Sequence, residues 1–149
     1  VYKRQLVETI ESLDIAWSVD PSSAQMLALQ CTPDDALAAF AGAAIFFPNL
    51  DEAAWLTGSA APVEAAERLL DTAETAVVTC GADGAVVARR GTTTFRLDAA
   101  PTTLVNTLGC GDAFAGGFLS ARLEGLDDRA CAERAATVAA RAAAISSSR

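Results

Sequence analysis

The chain has 149 residues, 52% of them apolar and 20% charged, and its 19 acidic side chains against 11 basic ones leave a net charge of −8. That length suits a single domain of the usual ~100–200 residues, and the apolar fraction excludes a disordered chain. The acidic balance argues against a nucleic-acid or anionic-membrane partner, because phosphate surfaces are bound by clustered cations.

Leu6–Leu13 has apolar residues at helical spacing and predicts a helix. Ile15–Val19 predicts a short strand stopped by the turn signal Asp20-Pro21. Thr32-Pro33-Asp34-Asp35 has the pattern of a helix start, with threonine as cap and proline at the first helical position, and the helix should run through Leu37 and Phe40 to Gly42. Ala44–Phe47 is a continuous apolar run ended by Pro48, as expected of a strand buried on both faces. Two short helices follow, Leu50–Leu56 closed by Thr57-Gly58, and Pro62–Leu70. Thr75–Cys80 is a β-branched strand that Gly81-Ala82-Asp83-Gly84 turns and Ala85–Ala88 returns. Thr92–Leu97 and Thr102–Val105 predict two further strands. Gly109–Gly111 opens a helix through Phe114, Phe118 and Leu123, and an alanine-rich helix runs from Asp127 to the neighbourhood of Ile145. This alternation predicts an α/β fold, a mostly parallel sheet with helices on its faces, without internal repeat or dividing linker. The chain begins part-way into a helix and ends on Ser-Ser-Ser-Arg without a stop signal, so it reads as a piece of something longer.

Absent residues prune the chemistry. There is no histidine, which excludes Ser-His-Asp triads, HExxH zinc sites and imidazole acid–base catalysis. The one lysine, Lys3, follows no glycine loop, so a Walker A motif is excluded as well. Cys31, Cys80, Cys110 and Cys131 lie far apart with no CxxC pair, the pattern of reduced thiols rather than a zinc site or a disulfide framework. No apolar run approaches the ~18 residues of a membrane span and no signal peptide opens the chain, so a cytoplasmic location is expected.

The most informative stretch is Val105–Phe118, where an extended segment meets Gly109 and Gly111, then Asp112, then an amphipathic helix. Glycines let backbone N–H groups approach a ligand unobstructed. At a helix N-terminus those unpaired donors and the positive dipole end suit an anion. A carboxylate in that first turn has the placement of a base for phosphoryl transfer to a hydroxyl. The plainer alternative is that Asp112 favours a helix start and the glycines serve a tight turn. A dinucleotide-binding fingerprint fails on spacing, because Phe114 stands where the third glycine is required.

Gly109-Cys110-Gly111-Asp112, with Ala113-Phe114 and the pair Gly116-Gly117 after it, resembles the C-terminal signature of the ribokinase-like (PfkB) carbohydrate kinases, usually Asp-Thr-x-Gly-Ala-Gly-Asp. Pro48-Asn49-Leu50-Asp51-Glu52 resembles that family's Asn-x-x-Glu motif, and Thr79-Cys80-Gly81-Ala82-Asp83-Gly84 its Thr-x-Gly-x-x-Gly nucleotide loop. Asp20-Pro21 sits where the family often has a strand end. The matches keep the family's order and extend from Val7 to Ala144. The resemblance implies a ribokinase-like three-layer sandwich, present in part, with residues 1–149 as its C-terminal, nucleotide-binding portion. It implies ATP and Mg2+ as cofactors and a small sugar or nucleoside as acceptor. By position, Asp112 would be the catalytic base, and Gly109, Cys110 and Gly111 would offer backbone N–H groups to the γ-phosphate. Asn49 and Glu52 would organise Mg2+ and phosphate through waters, and Thr79, Gly81 and Gly84 would border the nucleotide. Asn49 as a helix cap with Glu52 favouring its dipole, and Gly81 and Gly84 as hairpin glycines, are alternatives for the same residues.

Two positions depart from the signature. Asn106 replaces its aspartate, which argues against activation by a monovalent cation, and Cys110 replaces the commoner alanine, a tolerable change where the backbone does the work. Such kinases run to about twice this length, with the acceptor pocket and lid built largely by the other half. The chain alone is therefore expected to be inactive, with a homodimer compatible with the full-length protein. A catalytically inactive nucleotide-binding homologue is the alternative reading.

Overall fold

The computed structural model describes Thr9–Ile10 and residues 15–144. Apart from Thr9 and Ile10, which are helical, the helix expected over Leu6–Leu13 lies outside the described residues. The elements run β1 (Ser18–Val19), α1 (Ala24–Ala28), α2 (Pro33–Phe40), β2 (Ala43–Phe46), α3 (Leu50–Thr57), α4 (Pro62–Arg68), β3 (Ala73–Thr79), β4 (Ala85–Arg89), β5 (Phe95–Leu97), α5 (Cys110–Leu123) and α6 (Asp128–Ala143). The strands form one five-stranded sheet in the order β1-β2-β3-β4-β5. The α/β architecture is the one the alternating pattern predicts. Contacts divide the chain into two compact units, one of residues up to Val78 with Val86–Phe95, the other of Thr79–Ala85 with the chain from Arg96 onward.

In the first unit β1, β2 and β3 are parallel, with Ser18 opposite Ile45 and Ala43 opposite Ala73. Their apolar runs are buried, Phe46, Val77 and Val78 completely so, and Phe40 meets Phe46 edge to face at 5.4 Å between ring centroids. Local chemistry sets the helix starts. The Thr32 Oγ1 accepts from the Asp35 N–H while the Asp35 carboxylate accepts from the Thr32 N–H, both at 3.2 Å, and Pro33 occupies the first turn. That reciprocal cap satisfies two donors that a helix end otherwise leaves open. The bonds Cys80 N–H to Gly84 O and Arg90 N–H to Glu74 O bracket β3 and β4 as an antiparallel hairpin.

In the second unit α5 packs against α6. Phe118, Cys131, Ala132 and Ala135 are fully buried, Arg122 pairs with Asp128, and the Arg122 guanidinium lies 5.8 Å from the centre of the Phe118 ring. The contact is close because Gly117 has no side chain: a Cβ there would stand 3.0 Å from the Ala135 Cα and 3.2 Å from the Val138 side chain.

Several boundaries differ from the sequence expectations. β1 is two residues rather than five, β5 is three rather than six, and α4 ends in a 3-10 turn at Leu69–Asp71. The strand expected at Thr102–Val105 is absent. The Val105 and Asn106 N–H groups both donate to the Ala143 carbonyl, at 2.9 and 3.1 Å, and the Thr102 hydroxyl donates to the Ala140 carbonyl, so the end of α6 takes bonds a neighbouring strand would otherwise have taken. Helix α1 was not anticipated. Its start is marked by Ser23, whose hydroxyl accepts from the Met26 N–H.

The two adjacent glycines of α5 should respond to alanine with opposite signs. Gly117→Ala forces a methyl into the α5–α6 contact and should cost roughly 1–3 kcal/mol in urea unfolding. Gly116→Ala meets nothing within 4 Å and should gain about 0.5–1 kcal/mol from reduced backbone freedom in the unfolded chain.

Candidate active site

Gly109 is the N-cap of α5, at φ 78° and ψ 3°. That left-handed conformation is disfavoured for side-chain-bearing residues, which is why glycine stands there. Two bonds shape the approach: the Asn106 side-chain oxygen accepts from the Leu108 N–H at 3.0 Å, and the Cys110 N–H donates to the Thr107 carbonyl at 3.2 Å. The Cys110 donor is thus engaged inward. Among the described residues, the N–H groups of Gly109, Gly111 and Asp112 have no hydrogen-bond partner. A Cβ built on Gly109 or Gly111 would find nothing within 4 Å, so no side chain plugs the loop. Asp112 sits exposed in the first turn, and its carboxylate has no partner among the described residues. Unoccupied amides at the positive end of a 14-residue helix have the chemistry to bind an anion, and a carboxylate beside them can accept a proton.

The same unit contains Thr79–Gly84. Thr79 ends β3, and Gly81–Asp83 form a tight 3-10 turn closed by Asp83 N–H to Cys80 O at 3.1 Å and Gly84 N–H to Gly81 O at 3.2 Å. Gly81, at φ 59°, opens onto free space. Gly84 is different: a Cβ there would lie 1.9 Å from the Leu97 carbonyl oxygen, so close backbone approach requires glycine. Burial pushes the Cys80 thiol up, against the Arg96 charge, and burial raises Cys131 likewise, which keeps both protonated. All four cysteines are free. An open groove of about 820 Å3 is lined by Pro101, Thr102, Thr103 and, one helical turn apart on α6, Thr137, Ala140 and Arg141. Sequence reading missed this groove, although the Thr137-Ala140-Arg141 spacing places those residues on one helix face.

Asn49 and Glu52 belong to the first unit. Asn49 caps α3: its Oδ1 accepts from the Glu52 N–H, and Glu52 Oε2 accepts from the Asn49 N–H, both at 2.9 Å. The capping alternative for this pair is therefore realised. Glu52 is only 2% exposed, and among the described residues no buried side-chain oxygen lacks a hydrogen-bond partner. Burial pushes the Glu52 carboxyl above its usual range, opposed by the Asn49 N–H bond and reinforced by the charges of Asp20 and Asp51. The strand-end aspartate Asp20 thus acts on Glu52 across the first unit, which the Asp20-Pro21 turn signal alone did not reveal.

The pfkB family carbohydrate kinase model matches residues 5–148. The chain belongs to the pfkB family of carbohydrate kinases. Its structure is also similar to three solved proteins. The PfkB protein of Polaromonas sp. JS666 is 26% identical, with a TM-score of 0.76 over 95% of this chain and 47% of that one. The adenosine kinase of Sinorhizobium meliloti is 24% identical, with a TM-score of 0.79 over 93% and 42%. Arabidopsis thaliana ribokinase, solved with ribose and ATP, is 21% identical, with a TM-score of 0.77 over 97% and 46%. The chain spans less than half the length of each. The pfkB-family fold seen in them, a mostly parallel sheet flanked by helices, is the fold described above.

The electrostatics of Glu52 give this pfkB-family chain a pH signature. Its folded pKa lies above the unfolded value, so the folded state holds the extra proton and stability falls as pH rises through that window. Glu52→Gln preserves a capping acceptor at the third helical position and abolishes the titration. Relative to wild type, the variant's unfolding free energy should therefore rise from about pH 4.5 toward neutrality. A constant difference across that range would show that Glu52 does not titrate upward.

Proposed function

We propose that this chain is the nucleotide-handling portion of an ATP-dependent kinase that phosphorylates an alcohol of a sugar or nucleoside. The observation that carries the reading is the open first turn of α5, with partnerless Gly109, Gly111 and Asp112 amides beside a partnerless Asp112 carboxylate. Those amides hold the γ-phosphoryl group and stabilise the charge that builds on its oxygens during transfer, at no cost in reorganisation. Gly109, Cys110 and Gly111 were the expected donors; with the Cys110 N–H turned to Thr107, Asp112 replaces it in the set. The Asp112 carboxylate accepts the proton of the attacking hydroxyl as the new oxygen–phosphorus bond forms and the bond from the γ-phosphorus to the bridging oxygen breaks, releasing ADP, so the nucleophile need not ionise in advance.

Thr79, Gly81 and Gly84 border the nucleotide phosphates, and the Pro101–Thr103 groove gives the base an apolar wall with hydroxyls at its rim. The residues present also fit Mg2+. No cluster of three or more His, Cys, Asp or Glu among the described residues could enclose a metal, but this ion keeps most of its waters and needs only one or two carboxylates with substrate phosphate. Glu52 is such a carboxylate, and a cation there relieves its repulsion from Asp20 and Asp51. When bound, Mg2+ neutralises phosphate charge. Asn106, uncharged and bonded locally to Leu108, supplies no anionic ligand for a monovalent cation. Positioning supplies a large share of phosphoryl-transfer catalysis, and with no acceptor pocket assigned to its residues, this chain alone binds nucleotide without turnover.

Two substitutions test the reading. In the 149-residue chain, Gly111→Val obstructs the loop and should abolish the rise in melting temperature that ATP produces in the wild type. In a polypeptide that includes the acceptor-binding half, Asp112→Asn should lower kcat by about 10²–10⁴ while ATP affinity holds. Unchanged turnover in that variant would remove Asp112 as the base. Nucleotide binding without turnover even in the wild-type polypeptide would favour an inactive homologue.

A further inference from the structure

The groove along α6 holds a charge that phosphoryl transfer does not use. Thr137, Ala140 and Arg141 share one face of the helix, and Pro101 and Thr102 line the same groove. Arg68, Arg89, Arg122 and Arg134 each pair with a carboxylate. Arg141 has neither an ion pair nor a hydrogen bond among the described residues. It is also the one charged side chain among the described residues that line the groove. The hydroxyls beside it are left as acceptors. The Thr102 hydroxyl donates to the Ala140 carbonyl at 2.8 Å and the Thr137 hydroxyl to the Glu133 carbonyl at 3.0 Å, so each has committed its proton and keeps lone pairs only. The Ala140 carbonyl is itself taken, by Thr102 and by the Ala144 N–H. The groove thus presents a planar, donor-only fork and hydroxyl acceptors between alanine and proline walls.

That pattern discriminates between purines. Adenine at N6 and guanine at N1 and N2 all carry protons that a hydroxyl oxygen accepts, so the threonines bind either base. The guanidinium does choose. With five donors and no acceptor, it takes O6 and N7 of a 6-oxopurine in two parallel bonds, whereas adenine sets an amino donor beside N7 and offers that fork one acceptor. We infer that Arg141 is a specificity-determining residue for the nucleotide base and favours a 6-oxopurine, so that guanosine and inosine triphosphates bind here more tightly than ATP. This preference rests on the reading of the groove as the base site of a kinase, and it leaves the phosphoryl chemistry at the Gly109 turn unchanged.

Titration calorimetry of the 149-residue chain with GTP, ITP and ATP at equal Mg2+ measures the preference. GTP and ITP should each bind about five- to tenfold more tightly than ATP. Inosine lacks the N2 amino group, so parity of ITP with GTP isolates O6 and N7 as the atoms read. Arg141→Ala should bring the three nucleotides within about twofold of one another, because only the acceptors common to both purines remain. Arg141→Gln should reverse the order, since a glutamine amide matches the N6–N7 edge of adenine. Arg141 is exposed on its helix, and alanine and glutamine are good helix formers, so both variants should melt like wild type. If ATP binds the wild type as tightly as GTP or ITP, or if the order survives Arg141→Ala or Arg141→Gln, the preference is overturned and the kinase reading stands. If none of the three nucleotides binds, the base site and the kinase reading fall together. The wild-type order decides the matter even if a variant does not fold.

Discussion

A helix that begins on a left-handed glycine is the constraint on which the candidate site depends. With Gly109 at φ 78°, the chain enters α5 abruptly, and the Gly109, Gly111 and Asp112 amides have no hydrogen-bond partner among the described residues. Each neighbouring bond maintains that arrangement: Asn106 holds the Leu108 N–H, Thr107 holds the Cys110 N–H, and the end of α6 holds Val105 and Asn106. The position of the turn then depends on the packing of α5 on α6 through Gly117 and Phe118. Chemistry at the first turn of a helix is thus tied to close packing farther along it, a rigid support of the kind that functional groups need for fixed geometry.

Asn49 and Glu52 show how much of one short motif helix capping explains, and what it leaves over. Their reciprocal bonds start α3 and would be sufficient reason for both residues in any helix. What a cap does not require is burial of the carboxylate among other acids. Burial, Asp20 and Asp51 all make the ionised form of Glu52 less favourable, a local cost to the fold. Such costs concentrate where a ligand later offsets them.

The sequence made much of this legible, for reasons that differ by element. Buried strands such as β2 and β4 announce themselves as unbroken apolar runs, and caps such as Thr32 and Asn49 carry their bonding partners three residues ahead. The Gly109–Asp112 signature was readable because both the sharp turn and the open amides demand glycine. What the sequence did not reveal depends on distant partners. Thr102–Val105 has strand propensity, but its donors go to the end of α6, more than thirty residues away. The engagement of the Cys110 N–H by Thr107 is a backbone matter that no side chain encodes, and it shifts the donor set by one residue. The effect of Asp20 on Glu52 needs the parallel register of β1 and β2, and the groove beside Thr137 needs the Pro101–Thr103 segment laid along α6.

The central claim is that the open amides of the Gly109 turn grip a phosphoryl group. The most direct measurement is a backbone amide NMR titration of the isotopically labelled chain with a non-hydrolysable ATP analogue. Saturable shifts centred on Gly109, Gly111 and Asp112, with Cys110 moving less because its proton is already engaged, are the result this account predicts. If those three resonances stay fixed while amides elsewhere respond, the phosphoryl group sits somewhere else and the account is contradicted.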